Sequence, residues 1–283
     1  MINVVIPVLN NSKLTDDCLT GINSTVGPHT VRVVIVDNAS TDDTVEVIER
    51  WREFAARNFA LYVIRNDGNL GFGRACNQGL LVASEDDIGG MICWLNNDTV
   101  PLQGWLDGIE LELVDPSVGI VGALLWYPSS VNPRKPGSVQ HAGIGWITPT
   151  DRAHIYRGMS PSNAPGILIR KELSCVTGAC MSMRVRVAVE LQGFDEDFVN
   201  GYEDIDLCFR ARESGKKIVY SPRVQLIHHE SMTLGRFSLE SQNKELFLRK
   251  HRNIRPDFHE IIAADGGIGV RTSTARATTI YTA

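Results

Sequence analysis

The 283-residue chain carries no surplus of basic charge, no paired cysteine motif, no phosphate-type glycine loop and no long apolar run. With 28 Lys and Arg against 33 Asp and Glu, the formal charge is −5. That balance argues against a nucleic-acid partner, because neutralising phosphates needs a basic surface. No stretch reaches the roughly 18–20 uninterrupted apolar residues of a membrane span. Met1–Ile6 has no basic region before its apolar residues and runs into Pro7, so it reads as a strand and not as a signal peptide. A soluble, cytoplasmic chain is expected. None of the six cysteines forms Cys-x-x-Cys, and most sit in apolar surroundings, which predicts buried reduced thiols and neither disulfides nor zinc. Where a dinucleotide fold needs Gly-x-Gly-x-x-Gly, the chain has Pro7-Val8-Leu9-Asn10-Asn11, and Gly68–Gly73 has the wrong spacing. No Gly-Lys-Ser/Thr loop exists either, which excludes hydride transfer and P-loop chemistry.

What remains is an ordinary globular composition, 43% apolar and 22% charged. Apolar runs at 3–9, 31–36, 61–64 and 91–95 alternate with amphipathic stretches at 12–25, 41–58, 72–83 and 102–114. Thr41-Asp42-Asp43 looks like a helix start, and Pro101 suits the first turn of the next helix. The alternation predicts an α/β fold, a mostly parallel twisted sheet with helices on both faces. After an apolar run at 118–126, residues 128–166 hold six prolines and read as long loops around a strand at 139–147. Helices are expected near 184–191, 203–214 and 238–251, and a strand at 218–220. Residues 264–283 lack apolar periodicity and read as a flexible tail.

Each early strand ends in polar residues: Asn10-Asn11, Asp37-Asn38, Asn66-Asp67 and Asn96-Asn97-Asp98. Ligands of open α/β sheets bind beyond the carboxyl ends of strands, so four such ends predict one polar crevice. For any one of them taken alone, a local cap is the default reading. Asp98, ending an apolar strand, has the chemistry to hold Mg²⁺ or Mn²⁺ against phosphate oxygens, or to form a turn before Pro101. Glu203, Asp204 and Asp206 open a helix, where acids cap the dipole and an ionised carboxylate suits a general base. His228 and His229 end a strand and point to opposite faces, so at most one can meet a metal.

Val4–Pro7, Val34–Ser40, Asn69–Gly73, Leu95–Asp98, Val176–Cys180, Gly193–Asp195, Tyr202–Asp204 and His228–Ser231 together resemble the inverting glycosyltransferases of family 2, which have the GT-A fold. The likeness covers about residues 2–236 and is greatest to the rhamnosyltransferase-type branch. It implies a single domain over 1–263, with a nucleotide-sugar half at 1–126 and an acceptor half at 127–263. Pro7, Val8, Asn10, Asp37, Asn38, Asp67, Asn69, Arg74, Asn96 and Asn97 would bind the nucleotide sugar, with Asp37 at the base. Asp98 and His228 would hold Mn²⁺ or Mg²⁺; asparagine replaces the first acid of the family's Asp-x-Asp. Gly178, Ala179 and Tyr202 would face the acceptor, and Asp204, beside Glu203, would be the catalytic base. Met232–Gly235 departs from relatives that carry an arginine before that glycine, with Arg236 close by.

The implied donor is a UDP- or dTDP-linked sugar, and the acceptor a hydroxyl on a glycan, a lipid-linked glycan or a protein. A lipid-linked acceptor would require peripheral membrane association, and a homo-oligomer is compatible with the sequence. One competing class is a sugar-1-phosphate nucleotidyltransferase, although its glycine-, Arg- and Lys-containing loop is missing at 9–14. The other is a non-catalytic glycan-binding protein on a decayed fold, which the joint presence of Asp98, Asp204 and His228 argues against.

Overall fold

The computed structural model describes residues 1–54, 59–128, 137–229 and 239–266. Strand β1 (Ile2–Val8), helix α1 (Ser12–Thr25), β2 (Val31–Asp37), α2 (Thr44–Phe54), β3 (Ala60–Arg65), α3 (Phe72–Asp86) and β4 (Met91–Leu95) form the expected alternation. β1 pairs in parallel with β2 and β4, and β2 in parallel with β3. There follow β5 (Thr99–Pro101), α4 (Trp105–Leu113), β6 (Val118–Trp126), β7 (Val139–His141), β8 (Ile144–Thr148) and β9 (Asp151–His154). Then come β10 (Lys171–Leu173), β11 (Cys180–Arg184), α5 (Val185–Glu190), α6 (Glu203–Glu213), β12 (Lys217–His228), α7 (Glu240–Lys250) and α8 (Phe258–Ala264).

The main sheet runs β10-β12-β6-β11-β4-β1-β2-β3, with β5 on β12 and β7 on β6. β11 is inserted antiparallel between β4 and β6, so those two and β12 share the direction of β1. The carboxyl ends of β1, β2 and β4 therefore open on one edge of the sheet.

Side-chain alternation divides the core into two layers. Val4, Ile6, Val33 and Ile35 pack against α1, α2 and α4, through Leu19, Ile48 and Trp105. Val5, Val34, Ile92 and Trp94 pack against α3, α5 and α6, through Cys76, Ala188 and Phe209. Close approach is demanding at Gly79 of α3, where a Cβ would stand 2.2 Å from Val5 Cγ1. All six cysteines are free and buried, as composition predicted. Among the described residues no helix is long and apolar enough to cross a membrane.

Several expectations are corrected. Helix α2 starts at Thr44 and not at Thr41, because Ser40 and Thr41 are tied to Asp37 and Asn10 while Asp42 Oδ1 caps the Thr44 amide at 3.1 Å. Pro101 lies in β5, not in a helix. Leu226 of β12 is its register partner, Leu102 N–H bonds Gln225 O at 2.9 Å, and Gly104 (φ 83°) delays α4 to Trp105. The single strand expected at 139–147 is broken at Gly143 (φ 107°), so β7 joins the main sheet and β8 turns away to pair with β9. The strand at 218–220 extends to Lys217–His228, accommodating Pro222 at a register irregularity. Strand β11 and helix α8 were not foreseen. The end of the expected α2 at 55–58, Glu230–Ser238 with its family motif and Arg236, and 267–283 of the expected tail lie outside the described residues.

Candidate functional site

Two cavities open at the carboxyl edge of the sheet. The first, about 120 Å³, lies against Pro7, Val8, Asn38, Asn69, Asn96, Asn97 and Asp98 on one side and Gly178, Ala179, Glu203 and Asp204 on the other. The second, about 290 Å³, is lined by Gln140, Arg152, Tyr202 and His228 and again by Glu203 and Asp204. Thr177, Asn200, Glu203 and Asp204 border both.

The asparagine-rich ends are fixed by one another. Asn10 and Asn11 both adopt positive φ, 58° and 63°, turning the chain sharply after β1. Asn10 Oδ1 accepts from the Thr41 amide at 2.7 Å, while Asn97 Nδ2 donates to Thr15 Oγ1 at 3.0 Å. Asn66 bridges Asn38 and Gln78 at 2.8 and 2.9 Å. Of the residues assigned to the nucleotide sugar, Asn10, Asp37, Asp67 and Arg74 do not line either cavity. Asp37 is buried and caps the Ser40 amide at 2.9 Å; Asp67 is exposed; Arg74 pairs with Glu196 at 3.3 Å. Within the same strand ends, then, some side chains cap turns while their neighbours line the cavity.

The carboxylate pair depends on an unusual backbone. Asn200, Gly201 and Tyr202 have φ of 52°, 151° and 72°, three positive values in a row, two of them at residues with a Cβ. This kink delivers Glu203 and Asp204 to the first turn of α6. Asp204 Oδ2 accepts from the Gly178 amide and Oδ1 from the Ile205 amide, both at 2.8 Å. A Cβ on Gly178 would stand 3.1 Å from Asp204 Cβ, so glycine lets the backbone come this close. Each Asp204 oxygen keeps a second lone pair. Glu203 turns back to accept from the Gly201 amide at 2.5 Å. Tyr202 receives a bond from Arg152 Nη1 at 2.6 Å, with the guanidinium 3.9 Å from its ring centroid.

Helix α7 braces this kink. Asn243 Nδ2 donates to Val199 O at 2.8 Å, Phe247 packs on Tyr202, and His251, just past the helix, meets Asp206 Oδ1 at 2.8 Å. Burial alone would raise the Asp206 pKa, but the His251 hydrogen bond and the Arg210 charge hold it below the ordinary carboxylate range. Asp206 is therefore a structural acid beneath the pair that borders the cavities.

His228 Nε2 lies 3.1 Å from Asp98 Oδ1, and both residues are buried. His229 donates its amide to Asp98 O at 2.9 Å. Among the described residues no group of three or more His, Cys, Asp or Glu side chains could hold a metal. The Asp98–His228 pair nevertheless fits a hard divalent ion. Such ions use one or two protein ligands plus phosphates and water, and neighbouring ligands at ~2.1 Å in an octahedron are ~3.0 Å apart. Residues that the sequence reading missed are Asn200, which borders both cavities, and Gln140 and Arg152 of the second. Asn200-Gly201 carried a turn signal; Gln140 carried none.

Residues 3–191 match the family described as Glycosyl transferase family 2, and the chain belongs to it. It is 26% identical over 232 residues to the pre-mycofactocin glycosyltransferase of Mycobacterium tuberculosis, covering 82% of this chain and 43% of that protein. The chain thus spans under half the length of that relative. It is also 26% identical over 225 residues to the N-acetylglucosaminyl-diphospho-decaprenol L-rhamnosyltransferase of Mycobacterium tuberculosis, covering 73% of this chain and 69% of the other. Among solved structures, a mannosyltransferase from Pyrobaculum calidifontis in complex with GDP-Man and Mn²⁺ superposes with a TM-score of 0.63 at 20% identity, covering 93% of this chain and 68% of that one. At that identity the likeness is one of fold, and it agrees with a GT-A architecture.

Proposed function

We propose that this chain transfers a sugar from a nucleoside diphosphate sugar to an acceptor hydroxyl with inversion, using Asp204 as general base. The observation that carries this is that two cavities meet at Thr177, Asn200, Glu203 and Asp204. A donor in the first and an acceptor in the second bring their reacting atoms to one carboxylate pair. Asn38, Asn69, Asn96 and Asn97 line the donor side and offer amide donors and acceptors to the nucleotide. Asp37 and Asn10 act through the turn they hold. Asp204 takes the acceptor proton while the oxygen attacks the anomeric carbon from the face opposite the diphosphate. The Gly178 and Ile205 amides keep its carboxylate oriented through that step. Asp98 and His228 are the residues that would hold Mn²⁺ or Mg²⁺, and such an ion when bound neutralises charge on the departing diphosphate.

Tyr202 lines the acceptor cavity, whereas Gly178 and Ala179, expected on the acceptor side, line the first cavity opposite the asparagines. We read residues 1–263 as one catalytic unit, with its donor half at 1–126. A UDP- or dTDP-linked donor and a glycan, lipid-linked or protein acceptor remain the substrate classes, and a rhamnosyltransferase-like specificity is supported by the relative of that name. A cytoplasmic enzyme would reach a lipid-linked acceptor by peripheral association. The test is release of nucleoside diphosphate from a panel of nucleotide sugars, with Mn²⁺ or Mg²⁺ added and then chelated. Turnover of none of them, or turnover indifferent to the ion, overturns the corresponding part of the reading.

A further inference from the structure

We infer that Gln140 is a positioning residue that sets which nitrogen of His228 is open to a divalent cation. The inference rests on the reading of Asp98 and His228 as the pair that holds the ion. Gln140 sits on β7, buried, and reaches across β6 to the end of β12. Its amide engages His228 twice. Nε2 donates to the His228 carbonyl oxygen at 3.0 Å, and Oε1 lies 2.5 Å from Nδ1 of the ring.

The first bond fixes the meaning of the second. A backbone carbonyl can only accept, so the NH₂ end of the amide must face it, which leaves the amide oxygen at the ring. That oxygen also only accepts, so Nδ1 carries the hydrogen between them. In the neutral imidazole Nε2 then presents its lone pair, and it does so 3.1 Å from Asp98 Oδ1. An imidazole lone pair and a carboxylate oxygen facing each other at this distance repel, and a cation bound between them relieves that repulsion, as a proton on Nε2 also would. Metal-ligating histidines are commonly oriented by such an acceptor on the other nitrogen, and its loss costs about 10–100-fold in metal affinity. Gln140 also bonds the backbone of the same histidine, so ring and strand end move as a unit. No local pattern marks this role, since 88 residues separate the partners.

The test measures Mn²⁺ affinity of the full chain, without donor, for wild type, Gln140→Leu, Asp98→Ala and His228→Ala. A parallel arm reads the His228 imidazole tautomer by nitrogen-15 NMR of metal-free wild type and Gln140→Leu, with His228→Ala assigning the signal. We expect Gln140→Leu to weaken Mn²⁺ binding about 10–100-fold. We also expect wild-type His228 to be protonated at Nδ1 and to lose that preference in the variant. Loss of affinity in His228→Ala but not in Gln140→Leu overturns the role of Gln140 alone. Unchanged affinity in both Asp98→Ala and His228→Ala overturns the ion-binding pair and the inference with it. If Gln140→Leu does not fold, the wild-type spectrum still decides, because a hydrogen on Nε2 alone contradicts the proposed geometry.

Discussion

The two walls of the crevice are built in different ways. The wall from β1, β2 and β4 consists of strand ends, where polar side chains follow buried apolar strands and several, among them Asn10, Asp37 and Asn97, bond to neighbours at the same edge. The opposite wall, around Glu203 and Asp204, hangs on three consecutive positive-φ residues and on groups brought from Gly178 ahead of β11, from α6 and α7, and from residue 251. In the first wall a residue's position follows from where its strand stops. In the second, strained backbone must be held by tertiary contacts, at a cost of order 1–3 kcal/mol for each strained residue. Damage to the second wall should therefore spread into stability and turnover together, and damage to the first should stay local.

The largest expected effect is on turnover. Asp204→Asn should lower kcat by about 10²–10⁴-fold while sparing donor affinity. Because both Asp204 oxygens accept backbone amides, asparagine satisfies only one of them, so the variant's melting curve must accompany the kinetics. If Glu203→Gln is the inactive variant and Asp204→Asn turns over normally, the two acids exchange roles.

Asp206 tests the brace directly. Its side chain is 1% exposed and meets both Arg210 and His251. Removing one partner of a buried ion pair costs roughly 3–5 kcal/mol, so Asp206→Ala should lose about that much in urea denaturation. The sign with pH follows from its lowered pKa. The native group ionises below the ordinary 3.8, so its stabilisation is complete above that value and is lost as pH falls through the depressed native value. Wild type should thus lose stability below about pH 4 more steeply than the variant; equal acid slopes contradict the assignment.

Asn243 distinguishes the walls more finely. It bonds Val199 on both its amide and its carbonyl and touches neither cavity. Asn243→Ala should cost about 1–3 kcal/mol by removing two part-buried bonds to Val199, each worth roughly 0.5–1.5 kcal/mol. It should also slow turnover at unchanged donor affinity, since it acts on the kink. A stability loss with normal kcat would show that the kink holds itself.

The smallest effect belongs to the strand-end wall. Asn97→Ala removes a neutral hydrogen bond to Thr15, worth about 0.5–1.5 kcal/mol of stability, and a longer one to the Asn10 carbonyl, together with a donor-facing side chain. Its signature should be weaker nucleoside diphosphate binding with acceptor affinity unchanged, measured by titrating each ligand separately. An equal loss for both ligands would mean that the walls are not separable.

Much of the first wall was legible because its signals are local. The apolar runs of β1, β2 and β4, the helices between them and the polar residues that end each strand lie within windows of about ten residues. Even there, sequence named both Asp37 and Asn38 and put Asp37 at the base, whereas only Asn38 lines the cavity, because adjacent residues at a strand end leave in opposite directions. It likewise put Pro101 in a helix, since the competing bond from Leu102 to Gln225 comes from a strand more than a hundred residues away.

The sequence by itself determined the alternation of strands and helices through β4, the polar carboxyl edge, and an acid pair opening a helix, all of which follow from hydrophobic periodicity and capping chemistry. The tertiary structure alone decided that β11 runs antiparallel between β4 and β6, that His228 and not His229 faces Asp98, and that Gln140 and Asn243 hold the groups that matter. Hydrogen bonds between residues 44 or 88 positions apart leave no periodic trace in the chain, and only the closing of the sheet brings them within reach.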